Sequence, residues 1–138
     1  MKKNEILQRW LQPFLDDNFL KFQSIDNYPD ARAVVPTNAE TVYEDITGVK
    51  YKEYVFSFIG IVKLDTGTSY ENAKNLDIFD EFNDWIEEQA ENNNFPAFPN
   101  CTNFEIETLQ DTATLAYVDD NNNAKYVLAV KLRYEEAN

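Results

Sequence analysis

Few side chains in this sequence could carry out acid–base or nucleophilic chemistry, because histidine is absent from all 138 residues. Histidine is the commonest general base and metal ligand, and without it neither a Cys-His nor a Ser-His nucleophile pair can form. Cys101 is the single cysteine, so no intrachain disulfide can form. We interpret Cys101 as a small, partly buried residue, and we expect no catalytic residues.

Carboxylates could in principle hold a cation or hydrolyse a glycoside. In the segment 119–123, Asp119, Asn121 and Asn123 alternate as calcium ligands do, but the required glycine is missing and the twelfth position is Val130 instead of glutamate. Asp and Asn are also ordinary hairpin-loop residues. The acids are too numerous to single out one catalytic pair. We expect no metal and no cofactor, and the three scattered glycines exclude a phosphate-binding loop.

Acidic residues are concentrated in the second half of the chain. From Asn75 to Ala124 there are twelve acids and no Lys or Arg. Seven of them fall on one side of a predicted helix, opposite its apolar side: Asp77, Asp80, Glu81, Asp84, Glu87, Glu88 and Glu91. Like charges four residues apart destabilise a helix. This acidic face is either a solubilising surface or one that meets a basic partner or repels DNA.

Overall charge and composition limit the classes of function. The formal net charge of −13 disfavours direct nucleic-acid binding and binding to anionic membranes. Apolar runs are too short to span a bilayer, and polar residues interrupt the stretch after the basic start, so no signal peptide is apparent. We therefore expect an intracellular protein. With 43% hydrophobic and 14% aromatic residues, the chain can bury the core of a single domain, 1–138.

The elements that position these residues begin with a helix and a hairpin. Apolar residues at three- and four-residue spacing predict the helix over about 4–15, which Pro13 should kink or shorten. Residues 16–36 favour a loop or a short extended segment. β-Branched and aromatic residues then predict strands over 40–46 and 49–64, joined at Thr47-Gly48. The second strand is apolar on both faces and should be central, and Gly60 indicates a bulge.

A second helix is predicted from about Glu71 or Asn75 to Asn92, followed by strands over 104–109, 113–118 and 125–134. The order α-β-β-α-β-β(-β) predicts an α+β fold: a mostly antiparallel sheet of four to five strands with two helices packed on one face. The helix residues expected to pack on this sheet are Trp10, Phe14, Phe79, Phe82 and Ile86.

Several short strings resemble a family of small proteins from phages and prophages of low-GC Gram-positive bacteria, usually described as minor capsid or tail-component proteins. The strings are Tyr54-Val55-Phe56-Ser57-Phe58, Asn75-Leu76, Asp84-Trp85-Ile86-Glu87-Glu88-Gln89 and Lys131-Leu132-Arg133-Tyr134. The similarity extends over nearly the whole chain in the same element order. That order is also similar to the tail terminator proteins of long-tailed phages.

The resemblance implies a structural role at the head–tail junction, in the virion neck or tail, after assembly in the host cytoplasm. Tail terminators form a ring, commonly six-fold, on the last turn of the tail tube, where the ring stops tube growth and faces the head. The implied partners are further copies of the chain, the tail tube protein and the head connector protein. The resemblance supplies no catalytic or metal residues.

Ring assembly requires contact residues, and the hairpin 40–64 carries three tyrosines of the kind enriched at interfaces. We predict Tyr43, Tyr51 and Tyr54 as interface residues. Charge favours a second class of function, an acidic inhibitor that mimics DNA and occupies a nucleic-acid-binding enzyme. A small enzyme is the third and least supported class, because the chain lacks histidine and any nucleophile or phosphate motif.

Overall fold

The computed structural model describes residues 2–17, 21–22, 32–63, 76–110, 113–118 and 123–137. It contains the two predicted helices and the predicted strands, with one short strand in addition. The helices are α1 (Lys3–Asp17) and α2 (Asp77–Glu91). The strands are β1 (Lys21–Phe22), β2 (Arg32–Glu44), β3 (Lys50–Lys63), β4 (Cys101–Thr108), β5 (Thr114–Val118) and β6 (Asn123–Glu136). The predicted α+β class and element order are confirmed.

The sheet has the order β1-β2-β3-β6-β4, and β5 pairs with β6 beside β4. Every pairing is antiparallel except that of the two-residue β1 with β2. Strand β3 pairs with β2 on one side and with β6 along its whole length on the other, which confirms its predicted central place. Because β4 and β5 pair with successive parts of the same side of β6, they form one interrupted edge.

Both helices pack on one face of the sheet. Phe58 of β3 shows this directly, because its ring lies 6.3 Å from Phe14 of α1 and 4.8 Å from Phe82 of α2, centroid to centroid. Phe79 and Ile86 are also buried, and Trp10 packs at the margin of the core against Phe56. These contacts confirm the predicted core. The opposite face of the sheet, which we call the second face, carries no described helix, although Ser57, Ile59 and Ile61 of β3 are buried on it.

Three local predictions need correction. Helix α1 does not shorten at Pro13 but continues to Asp17, because Leu11, Phe14 and Leu15 on either side of the proline are buried in the core. Such tertiary packing offsets the backbone hydrogen bond that a proline removes. Strand β2 covers Arg32–Glu44 and not the predicted 40–46, so it includes the end of the segment for which a loop or a short extended segment was predicted, with a register shift just after Pro36. Residues 23–31, 64–75 and 119–122 lie outside the described residues.

The predicted bulge at Gly60 is also wrong, since Gly60 keeps regular register with Arg32 on β2 and Tyr126 on β6. The residue is a glycine because a helix side chain approaches it closely. A Cβ at this position would lie 2.8 Å from Cζ of Phe79. The Phe79 ring is buried and fixed by Phe58, 4.9 Å away between centroids.

Gly60→Ala should therefore lower the free energy of unfolding by about 1–2 kcal/mol, because steric overpacking outweighs the gain from replacing a strand glycine. Urea denaturation followed by circular dichroism measures this change. Unchanged or increased stability would show that Phe79 can move away from the added methyl group.

Candidate functional site

The tip of the β2–β3 hairpin is a preformed turn at the predicted Thr47-Gly48. The Asp45 carboxylate accepts hydrogen bonds from the Thr47 hydroxyl at 2.6 Å, the Thr47 amide at 2.9 Å and the Val49 amide at 3.1 Å. These bonds, led by the one from the Thr47 hydroxyl, lower the pKa of Asp45. Gly48 has φ 90°, a conformation that favours glycine. The turn presents Ile46, whose side chain is fully exposed.

Beside this turn, Tyr43 and Tyr51 form a stacked pair. They are direct partners across β2 and β3, and their ring centroids lie 4.4 Å apart with an interplanar angle of 2°. Tyr43 remains 54% exposed, as does its neighbour Val42 at 55%. Hydrogen bonding with Tyr43 raises the pKa of the Tyr51 hydroxyl to about 12. We call Val42, Tyr43, Ile46 and Tyr51 the hairpin patch.

Tyr54, the third predicted interface residue, does not belong to this patch. Its side chain is only 3% exposed and lies on the helix-covered face, where its hydroxyl donates a hydrogen bond to Asn4 of α1. Burial is the main reason that the pKa of Tyr54 is raised. Tyr54 therefore stabilises the contact between α1 and the sheet and is not available to a partner.

A ladder of ion pairs continues from the hairpin patch across the second face. Glu53 accepts ion pairs from Lys131 at 3.5 Å and Arg133 at 3.3 Å, and Arg133 also reaches Glu107 at 3.2 Å. Between this ladder and the tyrosines lies a shallow groove of about 400 Å³, which Glu105 also lines. The groove thus combines the aromatic faces of the tyrosines with both acidic and basic side chains, among them Lys52 and Arg133.

The predicted acidic residues form a continuous surface on the other side of the molecule. All seven acids of α2 are exposed, while Ile78, Phe79, Phe82 and Ile86 of the same helix are buried. In the part of the chain that the structure describes, none of the seven is ion-paired. The acidic face is therefore separated from the hairpin patch by the helix layer and the sheet, and the two surfaces can meet different partners.

Glu88→Lys should stabilise the protein by about 0.5–1 kcal/mol. The change converts the Asp84–Glu88 repulsion into attraction and places a cation near the negative end of the α2 dipole. Thermal or urea denaturation measures the gain, and Glu88→Gln, which only removes the repulsion, should give a smaller one. A loss of stability in Glu88→Lys would mean that the acids are not mutually repulsive.

A third charged cluster joins the two ends of the chain. The Glu136 carboxylate pairs with Lys3 at 2.7 Å and Lys52 at 3.1 Å, and the hydrogen bond from Lys3 is the main cause of its lowered pKa. The Cys101 thiol lies 3.8 Å from the same carboxylate, and burial raises its pKa. A thiol held protonated is a poor nucleophile, which agrees with a structural role for Cys101.

The described residues contain no group of three or more His, Cys, Asp or Glu side chains arranged to hold a metal ion. The segment 119–122, which has the weak similarity to a calcium loop, lies outside them. Likewise, in the described part of the chain no helix has both the length and the apolar character needed to cross a membrane.

Exposed apolar residues on β5 were not singled out from the sequence. Leu115, Tyr117 and Val118 are between 44% and 49% exposed, and the strand carries no charged residue. The absence of charged residues from a strand next to a hairpin loop was a sequence signal that could have identified this apolar surface. The position of β5 at the edge of the sheet follows only from its pairing with β6.

No protein-family model matches the chain, and no curated protein is significantly similar to it in sequence.

Proposed function

We propose that this protein is a structural component of a phage head–tail junction, a tail terminator that forms a ring on the end of the tail tube. The observation that carries the proposal is the separation of two unlike surfaces on one small fold. The hairpin patch exposes stacked tyrosines and aliphatic side chains, whereas α2 exposes seven acids on the other side. A ring subunit meets neighbouring copies as well as other components of the junction, and it therefore needs several distinct contact surfaces.

The hairpin patch has the residue types of a protein contact. Tyrosine supplies large apolar area together with a hydroxyl, and it is enriched at the centres of interfaces. The patch sits on a turn fixed by Asp45, so little conformational entropy is lost when a partner binds. Tail tube protein and neighbouring copies are the partners we assign to this side.

The acidic face has a role in the same ring. If α2 lines the lumen, its carboxylates repel the DNA phosphates, and the genome passes without adhering. If α2 instead faces the head, the acids are positioned for a basic surface of the head connector protein. In either orientation the acids act by charge, which agrees with their lack of ion pairs among the described residues.

The test is deletion of the gene from a phage that encodes it. A lysate of the deletion phage should contain heads and overlong tails that do not join, and expression of the wild-type protein from a plasmid should restore normal particles. Electron microscopy of the lysate gives the distribution of tail lengths. Infectious particles of normal tail length in the deletion lysate would refute the terminator proposal.

A second candidate function is an acidic inhibitor that mimics DNA, favoured by the seven exposed acids of α2. The acids would then occupy the basic cleft of a nucleic-acid-binding enzyme, and the protein would act as a monomer or dimer. Replacing Asp84, Glu87 and Glu88 with their amides would abolish such inhibition, whereas a terminator carrying these changes would still limit tail length through its hairpin patch.

A further inference from the structure

Exposed large apolar side chains are confined to two regions of the described chain, both at the outer edges of the sheet. One region is the β2 edge with its turn, and the other is β5 with the residue that follows β4. The side chains are Val42, Tyr43 and Ile46 in the first region and Leu109, Leu115, Tyr117 and Val118 in the second. Apolar groups that cluster at sheet edges indicate contacts to further strands.

The β2 edge offers backbone groups as well as side chains. Strand β1 pairs with β2 only at Ala33 and Val34, and no described strand covers the outer side of β2 from Thr37 to Glu44. Every side chain in that stretch is exposed. The register of β2 shifts between Thr41 and Tyr43, and the edge on either side of this irregularity can add a further strand through main-chain hydrogen bonds.

The β5 edge is itself uncharged, whereas the β2 edge is acidic. Its five residues, all exposed, include neither the charged residue nor the proline that usually protects an edge strand. Beside them, the Lys125 ammonium lies 5.6 Å from the centroid of the Tyr117 ring. The β2 edge carries the carboxylates of Glu40 and Glu44 instead.

We infer that the β2 edge of one copy pairs with the β5 edge of the next copy. Pairing two β2 edges would bring Glu40 and Glu44 of both copies together, whereas the β5 edge offers uncharged residues and Lys125. The two edges lie on opposite sides of the same sheet, beyond β3 and β6. The contact therefore uses two different surfaces and repeats from copy to copy, as a ring requires.

This edge pairing deepens the proposed function and rests on it for the closure of the ring. The contact itself is a property of the purified chain and can be measured without tail tubes. If the edges do not pair in the purified protein, the tail-length test of the terminator proposal still stands. If the tail-length test is negative, the crosslinking result for the two edges still stands.

Thiol crosslinking tests the inference, because Cys101 is the single cysteine and can be replaced by serine. One variant, Cys101→Ser with Val42→Cys, marks the β2 edge, and a second, Cys101→Ser with Leu115→Cys, marks the β5 edge. Both new cysteines replace exposed residues, so the fold is retained. The two variants carry tags of different mass and are mixed with a short bismaleimide. A matched control, Cys101→Ser with Gln8→Cys, places the thiol on the exposed side of α1.

Pairing of β2 with β5 predicts that the mixed dimer forms several-fold more than either homodimer and several-fold more than any dimer of the control. An excess of the Val42→Cys homodimer or of the Leu115→Cys homodimer would overturn the inference in favour of pairing between like edges. Yields equal to those of the Gln8→Cys control would overturn it as well, because they would show that neither edge meets another copy.

Discussion

Phe82→Ala is expected to lower the free energy of unfolding by about 3–5 kcal/mol. The Phe82 side chain is completely buried, and its ring centroid lies 5.2 Å from that of Phe14 and 4.8 Å from that of Phe58. It therefore joins α2 to both α1 and the central strand. Removal of the ring leaves a cavity between α1, α2 and β3, and these elements cannot move together to fill it.

Urea denaturation monitored by circular dichroism at several protein concentrations measures this loss. The control is Glu81→Ala, one position earlier on the exposed side of α2, which should change stability by less than about 0.5 kcal/mol. A loss below about 1 kcal/mol in Phe82→Ala would contradict the packing of both helices against one face of the sheet.

Tyr51→Asp should leave the subunit folded and prevent its assembly. The change removes the stacked ring on which Tyr43 lies and places a carboxylate beside Glu135, which interacts with the Tyr51 hydroxyl. Loss of a cross-strand aromatic pair costs about 1 kcal/mol of stability, a small part of the total. At an interface, loss of a tyrosine hot spot costs about 2–4 kcal/mol, or about 30- to 700-fold in association at each contact.

Complementation of the deletion phage measures assembly, and circular dichroism of the purified variant checks its fold. Tyr51→Phe is the matched control, since it keeps the ring and should restore infectious particles. Tyr54→Phe, which alters a buried residue, should also assemble. If Tyr51→Asp complements as well as wild type, the hairpin patch is not the contact surface.

The sequence was sufficient for elements whose position depends on local pattern. Strand β3 could be placed at the centre because both of its faces are apolar, and α2 could be delimited by its apolar side and the asparagines that follow. The sequence also contained a constraint on Tyr54 that the prediction did not use. Tyr54 lies three positions after Tyr51, an odd offset, so the two side chains must face opposite sides of the strand. Grouping the tyrosines by residue type missed this.

Other features depend on contacts between distant positions, which one sequence does not reveal. The glycine at position 60 is explained by Phe79 on α2, and the cluster of Lys3, Lys52 and Glu136 joins three separate elements. The edge position of β5 follows only from its pairing with β6. In each case the physical cause is tertiary packing, and local propensity gives no signal for it.

Binding of the purified protein to tail tubes tests the central claim most directly. Tail tubes isolated from the deletion lysate would be mixed with protein carrying a gold label on a cysteine introduced at Gln8, which is exposed on α1. A terminator binds as a ring to one end of each tube and prevents further growth when tube subunits are added. Label along the length of the tubes, label on neither end, or continued growth of the capped tubes would contradict the terminator role.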